Sequence, residues 1–578
     1  MTRFQLQAIL LIAFALYSGQ KLVRSHIDPD VDDVDYVFER ELKARRGSIY
    51  DAAGYPMVKS VPIWEYRLDP VALTNRVVRR RGEPPRPPAA IVKTISSALG
   101  LDFRETLAKS ANSKNRFQFL ARSSDSEAHR TIADSKLVAG VSIIDKQERQ
   151  YLHGKLMSHV LGSINSEEEA SSGLELKYDK YLTGLPGRIQ GMKDAHGREL
   201  YDKRKISIDP IAGANIYLTL DHNLQFTAES ELKAGIDEFG AAAGWTIIMD
   251  AKTGAVLAMA SYPDFDPVKY GQTDDRQKIN RCVAYTFEPG SVMKVITVAS
   301  ALNEKFVRPD SRYNTKRDDP NYYRLPGDGS HVWEPYMTVA DAVAHSSNIV
   351  VGKLGVDFGQ ERLYNYMRAF GFGAKTGIEL PGEEVGILHH WKKWDKASWS
   401  RAPIGQAVNV TPIQMVSAYQ AIANDGLRMK PHIIDRIVGA DGEIIYRHLD
   451  EPVGRPISAK TAKEMREIMK PVATPKGTAR RAAIKGYSVA GKTGTAQKSG
   501  GKSGYKPGQY VASFCGIVPA DDPAIVVLVS LDFDQLRPFH QGGNSAAVVF
   551  RKLTTEALKY LMVPSDRPDE LYDSDSET

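Results

Sequence analysis

The chain opens on a mostly apolar run, FQLQAILLIAFALYSGQKLV from Phe4 to Val23. Twenty residues at a 1.5 Å rise reach about 30 Å, which is enough for one bilayer crossing. The dense part ends at Tyr17, so Gln5, Gln7, Gln20 and Lys21 are expected at the interfaces, with Lys21 snorkelling. A cleaved signal peptide is the rival reading. No small-x-small site follows Leu16, and an uncleaved anchor is the expectation. Arg3 on one side against Lys21 and Arg24 on the other leaves the orientation open. No later stretch approaches a second span, which puts the rest of the chain on one side of one membrane.

From about His26 to Ala214 short strand and turn patterns mix with helices. RRGSIYDAAGYPMV reads as strand, turn and strand. Arg76 to Pro88, RVVRRRGEPPRPP, reads as a solvated loop, because no aromatic platform accompanies its arginines to make a nucleic-acid site. A second pattern starts near Ile216. LTLDHNLQFTAESELKAGIDEF has helical periodicity behind an Asp N-cap at Asp221, and GWTIIMDAKTGAVLAMASYP is two apolar strands around a Lys252-Thr253-Gly254 turn. Helical patterns fill the middle. ASFCGIVPADDPAIVVLVSLD then gives two more strands, and Ala546 to Leu561 a last helix. Strands at both ends with helices between predict an α+β or three-layer domain of about 350 residues whose sheet joins its two ends. No repeat of 20 to 50 residues is visible, which argues against solenoids and propellers.

Composition changes this picture little. The chain has 578 residues, 42% hydrophobic and 25% charged, with a formal charge of +6, an ordinary globular balance with room for two or more cores. The charge is uneven: from Pro564 onward six acids face Arg567 alone, a net −5 that leaves about +11 on the rest and reads as a disordered acidic tail. Neither part argues for nucleic acid. Two cysteines, Cys282 and Cys515, cannot build a thiolate zinc cluster and leave the redox compartment open. No H-E-x-x-H or paired C-x-x-C occurs, and His389-His390 lacks a third ligand, so no metal and no cofactor are expected.

Three short motifs carry chemistry, and each has decoys. Ser-x-x-Lys puts an amine beside a hydroxyl on one helix face. It occurs at Ser18/Lys21, Ser291/Lys294, Ser499/Lys502 and Ser503/Lys506. Only Ser291 follows a chain break, Glu288-Pro289-Gly290, and opens an apolar helical run, SVMKVITVASALNE, where free amides and the helix dipole favour an oxyanion. Ser-x-Asn occurs at Ser110, Ser163 and Ser346, and only Ser346-Ser347-Asn348 precedes a helical run in the second pattern. Lys-Thr-Gly occurs at Lys252, Lys375 and Lys492. The last follows IKGYSVA, a plausible strand on which Thr493 and Thr495 would share one face, with Gly494 leaving room for a ligand. Gly486 to Thr493 also matches the phosphate-binding pattern G-x-x-x-x-G-K-[ST]. That site needs a helix at the Lys-Thr, and TGTAQKSGGKSGYKPG cannot build one.

Ser-x-x-Lys, Ser-x-Asn and Lys-Thr-Gly in this order, with gaps of 55 and 146 residues, resemble the signature set of penicillin-binding proteins and serine β-lactamases. The likeness extends to Arg46-Gly47-Ser48-Ile49-Tyr50-Asp51, Gly173-Leu174-Glu175, LTLDHNLQ, and Gly405-Gln406 through Thr411-Pro412-Ile413-Gln414. Along nearly its whole length the chain resembles class B penicillin-binding proteins, and FEPGS and VAGKTGTAQK resemble the cell-division (FtsI) type. Ala52 stands where the family usually has Arg, and Leu152 where Pro is usual.

The resemblance implies a short N-terminus and membrane anchor at 1–24, a pedestal of the dimerisation type at 25–215, a transpeptidase domain at 216–563 with helices on both sides of an antiparallel sheet, and the tail at 564–578. It implies septal cross-linking of peptidoglycan stem peptides through a β-lactam-sensitive acyl-enzyme. Ser291 is then the nucleophile, Lys294 its base, Lys492 the neighbouring cation that depresses that base, and Ser346 a proton relay. Asn348 holds the substrate amide, Thr493, Gly494 and Thr495 bind the substrate, and the amides of Ser291 and Thr495 form the oxyanion hole. Implied partners are a multi-span division glycosyltransferase of the FtsW type and other division proteins. The implied location is the bacterial inner membrane, with the catalytic domain in the periplasm or extracytoplasmic space. The alternatives are an elongation-type class B transpeptidase and, with water as acceptor, a D,D-carboxypeptidase or β-lactamase.

Overall fold

The structure, a computed structural model, describes residues 37–70, 88–111, 117–134, 141–193, 199–200, 205–329, 333–501 and 504–572. The expected anchor at 1–24, residues 76–87 of the arginine-rich stretch and the end of the acidic tail lie outside these residues. Among the described residues no helix is long and apolar enough to cross a membrane.

The chain divides into two compact units. One comprises the described residues of Met1–Gly47 with Lys180–Ala214; the other comprises those of Ser48–Asp179 with Asn215–Thr578. In the first, Val37–Leu42 and Ile206–Ile208 each pair antiparallel with Gly187–Lys193.

In the second unit, residues on both sides of position 215/216 share a sheet. Asn215–Leu218 lies parallel to Ile49–Tyr50 on one side and antiparallel to Ile434–Val438 on the other. The strand, turn and strand expected at RRGSIYDAAGYPMV are Ile49–Tyr50 and the long Pro56–Leu68, which pairs with Gln118–Ser123 and Val141–Tyr151. Tyr66, Leu68, Ile95, Leu120 and Val141 form a core under the helix Pro88–Leu99, which begins where the arginine-rich stretch ends. Asp51, fully buried in the turn, accepts from the Tyr55 N–H at 2.7 Å and contacts His222 Nδ1 at 2.5 Å.

The catalytic half is built from α1 (His222–Phe239), β1 (Ala243–Asp250), β2 (Val256–Tyr262), α2 (Lys294–Asn303), α3 (Asn348–Phe358), α4 (Pro412–Ala423), β3 (Ala490–Ser499), β4 (Tyr505–Val518), β5 (Ile525–Phe533) and α5 (Ala546–Tyr560). The five strands form one antiparallel sheet in the order β2-β1-β5-β4-β3, which joins the two ends of the segment as the strand pattern predicts. Every residue of β5 is buried, so the sheet is covered on both faces. Successive side chains of a strand point to opposite faces, and β4 shows where they go: Phe514 packs on Phe550 of α5. α1 and α5 pack together on the sheet, while α4 contacts β1, β4 and β5. Asp221 caps α1 through the N–H groups of Asn223 and Leu224 and accepts from Tyr560 Oη at 2.8 Å, which ties the start of α1 to the end of α5.

Two local expectations need correction. IKGYSVA is a turn region; the strand starts at Ala490 and runs through Lys492-Thr493-Gly494 itself. Residues 564–572, expected in a disordered tail, fold back onto the chain. Asp566 accepts from the Ser488 N–H at 2.8 Å and from its hydroxyl, Ser565 donates to the Gly486 carbonyl, and Pro568–Tyr572 is a short helix. Composition shows the acids but not the unsatisfied donors at Gly486–Ser488 that receive them.

Arg149 and Glu175 form a pair at 2.7 Å whose side chains are 2% and 0% exposed. Removing one member of a fully buried pair strands the other's charge in a dry site. Glu175→Ala is therefore expected to lower unfolding stability by about 3–5 kcal/mol, measured by denaturant titration. A loss below about 1 kcal/mol would show that the pair contributes no more than a surface contact.

Candidate active site

The turn that carries Ser291 depends on a close backbone contact. Gly290 and Gly405 both have positive φ, +56° and +80°, and the Gly290 N–H donates to the Gly405 carbonyl at 3.0 Å. A Cβ on Gly405 would collide with the Gly290 backbone, so only glycine fits. Gly290–Met293 is one 3₁₀ turn, tighter than the expected α-helical turn, and α2 starts at Lys294. The signature after Gly405 buttresses this turn. Thr411 and Gln414 form a capping box at the start of α4, and Tyr419 Oη on the same helix donates to the Val292 carbonyl at 2.9 Å.

α2 is apolar on all sides and its first residue is a lysine with no exposure to solvent. Lys294 Nζ donates to the Ser346 carbonyl at 2.5 Å and lies 3.2 Å from Ser346 Oγ. Burial pulls this amine down from the ordinary ammonium range to about 7, with the Asp328 carboxylate acting in the opposite direction. Lys492, on β3, is equally inaccessible; its amine donates to the carbonyl and hydroxyl oxygens of Thr493 at 3.2 and 3.3 Å. Burial, and after it the charge of Lys294, hold Lys492 well below the usual range. Two amines without water beside one another cannot both stay protonated.

β3 is an edge strand. Thr493 is buried on it, with its hydroxyl 2.9 Å from that of Thr478, while Thr495 is exposed and accepts from the Gly542 N–H at 3.1 Å. Gly494 is buried; a Cβ there would press the Pro289 carbonyl and Val292, so this glycine seats the strand against the Ser291 turn.

Ser346 has φ +61°, and its neighbour Ser347 caps α3 by accepting from the Val350 N–H at 3.2 Å. Asn348 Nδ2 donates to the Gly327 carbonyl at 2.7 Å. Ser291, Ser346, Asn348, Thr493 and Thr495 line one open cleft of about 760 Å³, with Lys294 and Lys492 buried beside it. Residues from three separate stretches of sequence thus meet at one cleft. Lys476, Thr478, Gln541 and Asn544 line the same cleft and were not singled out from the sequence; the short spacing from Lys476 to Thr478 carries no helix or strand signal that marks a site.

Two groups of side chains have the ligand types for a metal. Asp51 and Asp221 already use their oxygens as turn and cap acceptors, and His222 Nδ1 contacts Asp51. His432 and His448 stack with centroids 3.4 Å apart and planes 11° from parallel, so their in-plane lone pairs run alongside one another instead of converging on an ion beside Asp450. Cys282 and Cys515 are both buried free thiols. Burial raises both thiol pKa values, which makes them inert.

The profile of the penicillin-binding protein transpeptidase domain matches residues 244–555, and that of the penicillin-binding protein dimerisation domain matches 41–218. Penicillin-binding protein PbpB of Mycolicibacterium smegmatis is 33% identical over 80% of this chain and 72% of its own length. The chain belongs to the class B penicillin-binding proteins. Peptidoglycan D,D-transpeptidase FtsI of Escherichia coli is 29% identical over 96% of this chain and 91% of its own. Among solved structures, penicillin-binding protein 3 of Mycobacterium tuberculosis in complex with aztreonam is similar with a TM-score of 0.68 and 27% identity, covering 92% of this chain and 99% of that one. A peptidoglycan synthetase from Bifidobacterium adolescentis gives a TM-score of 0.74 at 26% identity, covering 92% and 98%.

In this penicillin-binding protein the dry amine of Lys294 has a thermodynamic signature. A lysine held near 7 in the folded state and about 10.4 unfolded makes the unfolded chain bind more protons between those values, so stability rises with pH across that window. Wild type is expected to gain up to about 1.4 kcal/mol per pH unit there relative to Lys294→Met, which has no amine to titrate. Unfolding free energies measured from pH 7 to pH 10 that run parallel for the two proteins would contradict the depressed amine.

Proposed function

We propose that this chain is the septal, FtsI-type peptidoglycan D,D-transpeptidase, and that Ser291 is its nucleophile. The observation that carries this reading is the convergence of Ser291, Ser346, Asn348, Thr493 and Thr495 on one cleft beside two desolvated lysines. In it, Ser291 Oγ attacks the penultimate carbonyl of a stem peptide ending in D-Ala-D-Ala while Lys294, in its unprotonated form, takes the hydroxyl proton. The carbonyl oxygen becomes an oxyanion held by the amides of Ser291 and Thr495; such donors are worth about 3–4 kcal/mol each in other acyl-transfer enzymes.

Collapse breaks the amide, and the leaving D-Ala amine receives its proton through Ser346, which lies 3.2 Å from Lys294 Nζ. The product is an ester on Ser291. An amine of a neighbouring stem then attacks that ester, gives up its proton along the same route, and leaves a cross-link and free serine. Asn348 orients the donor amide, and Thr493, Gly494 and Thr495 receive its terminal carboxylate. β-Lactams, which imitate the D-Ala-D-Ala end, acylate the same oxygen.

Around this centre, residues 216–563 act as the transpeptidase domain and 25–215 as its pedestal. Phe4–Val23 anchors the chain in the bacterial inner membrane, with the catalytic domain outside the cytoplasm; its apolar length supports that reading. The pedestal is the surface for a multi-span glycosyltransferase of the FtsW type and other division proteins, as the resemblance implies.

A fluorescent penicillin is expected to label wild type on the peptide containing Ser291 and to leave Ser291→Ala unlabelled. Its acylation rate should fall as pH drops below about 7, where Lys294 becomes protonated. Adduct on another residue, undiminished labelling of Ser291→Ala, or release of the bound penicillin within seconds, as a β-lactamase does, would contradict the assignment.

A further inference from the structure

The segment before Ser346 contains a carboxylate that none of the motifs includes. Asp328, in a Gly327-Asp328-Gly329 stretch, accepts at Oδ1 from the backbone N–H groups of Asn348 at 2.5 Å and Ile349 at 3.3 Å. Its Oδ2 accepts from the Ser347 hydroxyl at 2.6 Å and from Trp333 Nε1 at 2.8 Å. The neighbouring carbonyl of Gly327 accepts from the Asn348 side chain. The first N–H groups of α3 therefore all have acceptors, two from Asp328 and one, that of Val350, from Ser347.

A helix already capped by its own Ser347 does not need a second acid from twenty residues upstream for capping alone. What needs holding is Ser346. It sits in the left-handed region at φ +61°, where a serine stays only if its surroundings fix it. That conformation directs both its carbonyl and its hydroxyl to Lys294 Nζ. The chain must then re-enter a helix within two residues, and Asp328 binds that re-entry point. Asp328 also lines the same cleft as Ser291.

We propose that Asp328 is a positioning residue for acyl transfer, whose carboxylate holds Ser346 and Asn348 in register with Lys294 through Ser347 and the first turn of α3. The proposal rests on the reading of Ser291 as the acylated serine. Asp328 also sets the field at the base. Among the described residues, the charge that acts on Lys294 is that of Asp328, which favours its protonation; the neighbouring Lys492 is itself held well below the ammonium range by burial and by Lys294, and His345 and Lys476 line the cleft. Removing the Asp328 charge lowers the proton affinity of Lys294 further, so the acid limb of the acylation profile moves to lower pH.

The test measures penicillin acylation of the full chain from pH 5.5 to 9 for wild type, Asp328→Asn and Ser347→Ala, with the wild-type adduct mapped first. Asp328→Asn is expected to acylate about 10-fold or more slowly at pH 8, with its acid limb displaced to lower pH. Ser347→Ala keeps the charge and loses the link, so its rate falls while its acid limb stays where wild type has it. A wild-type adduct away from Ser291 overturns the functional reading and this inference together. An adduct on Ser291 with an unchanged rate and profile in Asp328→Asn overturns the inference alone, as does a loss that is uniform with pH and matches a loss of folded protein. If Asp328→Asn does not fold, Ser347→Ala decides: a wild-type rate overturns the proposal, and a slower rate with an unmoved limb supports it.

Discussion

The exclusion of water from two adjacent lysines is the constraint on which this active site depends. An ammonium group in a dry site loses its hydration, and a second one nearby adds repulsion, so the free-energy minimum is reached by giving up a proton. Lys294 and Lys492 are both wholly inaccessible, yet each has hydrogen-bond acceptors for its N–H groups: Ser346 for one and Thr493 for the other. The result is an amine that can accept a proton at neutral pH.

Keeping that site dry and rigid explains much of the surrounding architecture. α2 is buried from Lys294 to Leu302, α4 is buried on every side, and β3 seats its glycine against the turn that carries Ser291. The backbone contact between Gly290 and Gly405 fixes the turn that carries Ser291 from one side, and Tyr419 reaches it from beneath through Val292. Each anchor lies outside the cleft. Thr495 stays exposed on an edge strand, a position that can accept an extended peptide.

The strand patterns at 244–263 and 512–532 and the three motifs were legible in the sequence because each is local: an apolar alternation, a serine one helical turn from a lysine, a glycine after a break. Their convergence was legible only through resemblance. Asp328 was not legible at all, since its role depends on a loop meeting a helix end twenty residues away, and Gly-Asp-Gly reads as an ordinary turn. The same holds for the strand at Ala490 and for residues 564–572, where the donors of Ser488 and the Gly486 carbonyl decide the structure. The pairing of Asn215–Leu218 with both Ile49–Tyr50 and Ile434–Val438 likewise leaves no mark in any single segment.

The central claim is that Lys294 gives up its proton near neutral pH in the folded protein. The most direct measurement is a pH titration of the ¹³Cε resonance of Lys294 in selectively labelled protein, assigned by its loss in Lys294→Met. The account predicts a midpoint near 7, far below that of the surface lysines. A Lys294 resonance that titrates with the bulk of the lysines above pH 10 would contradict it.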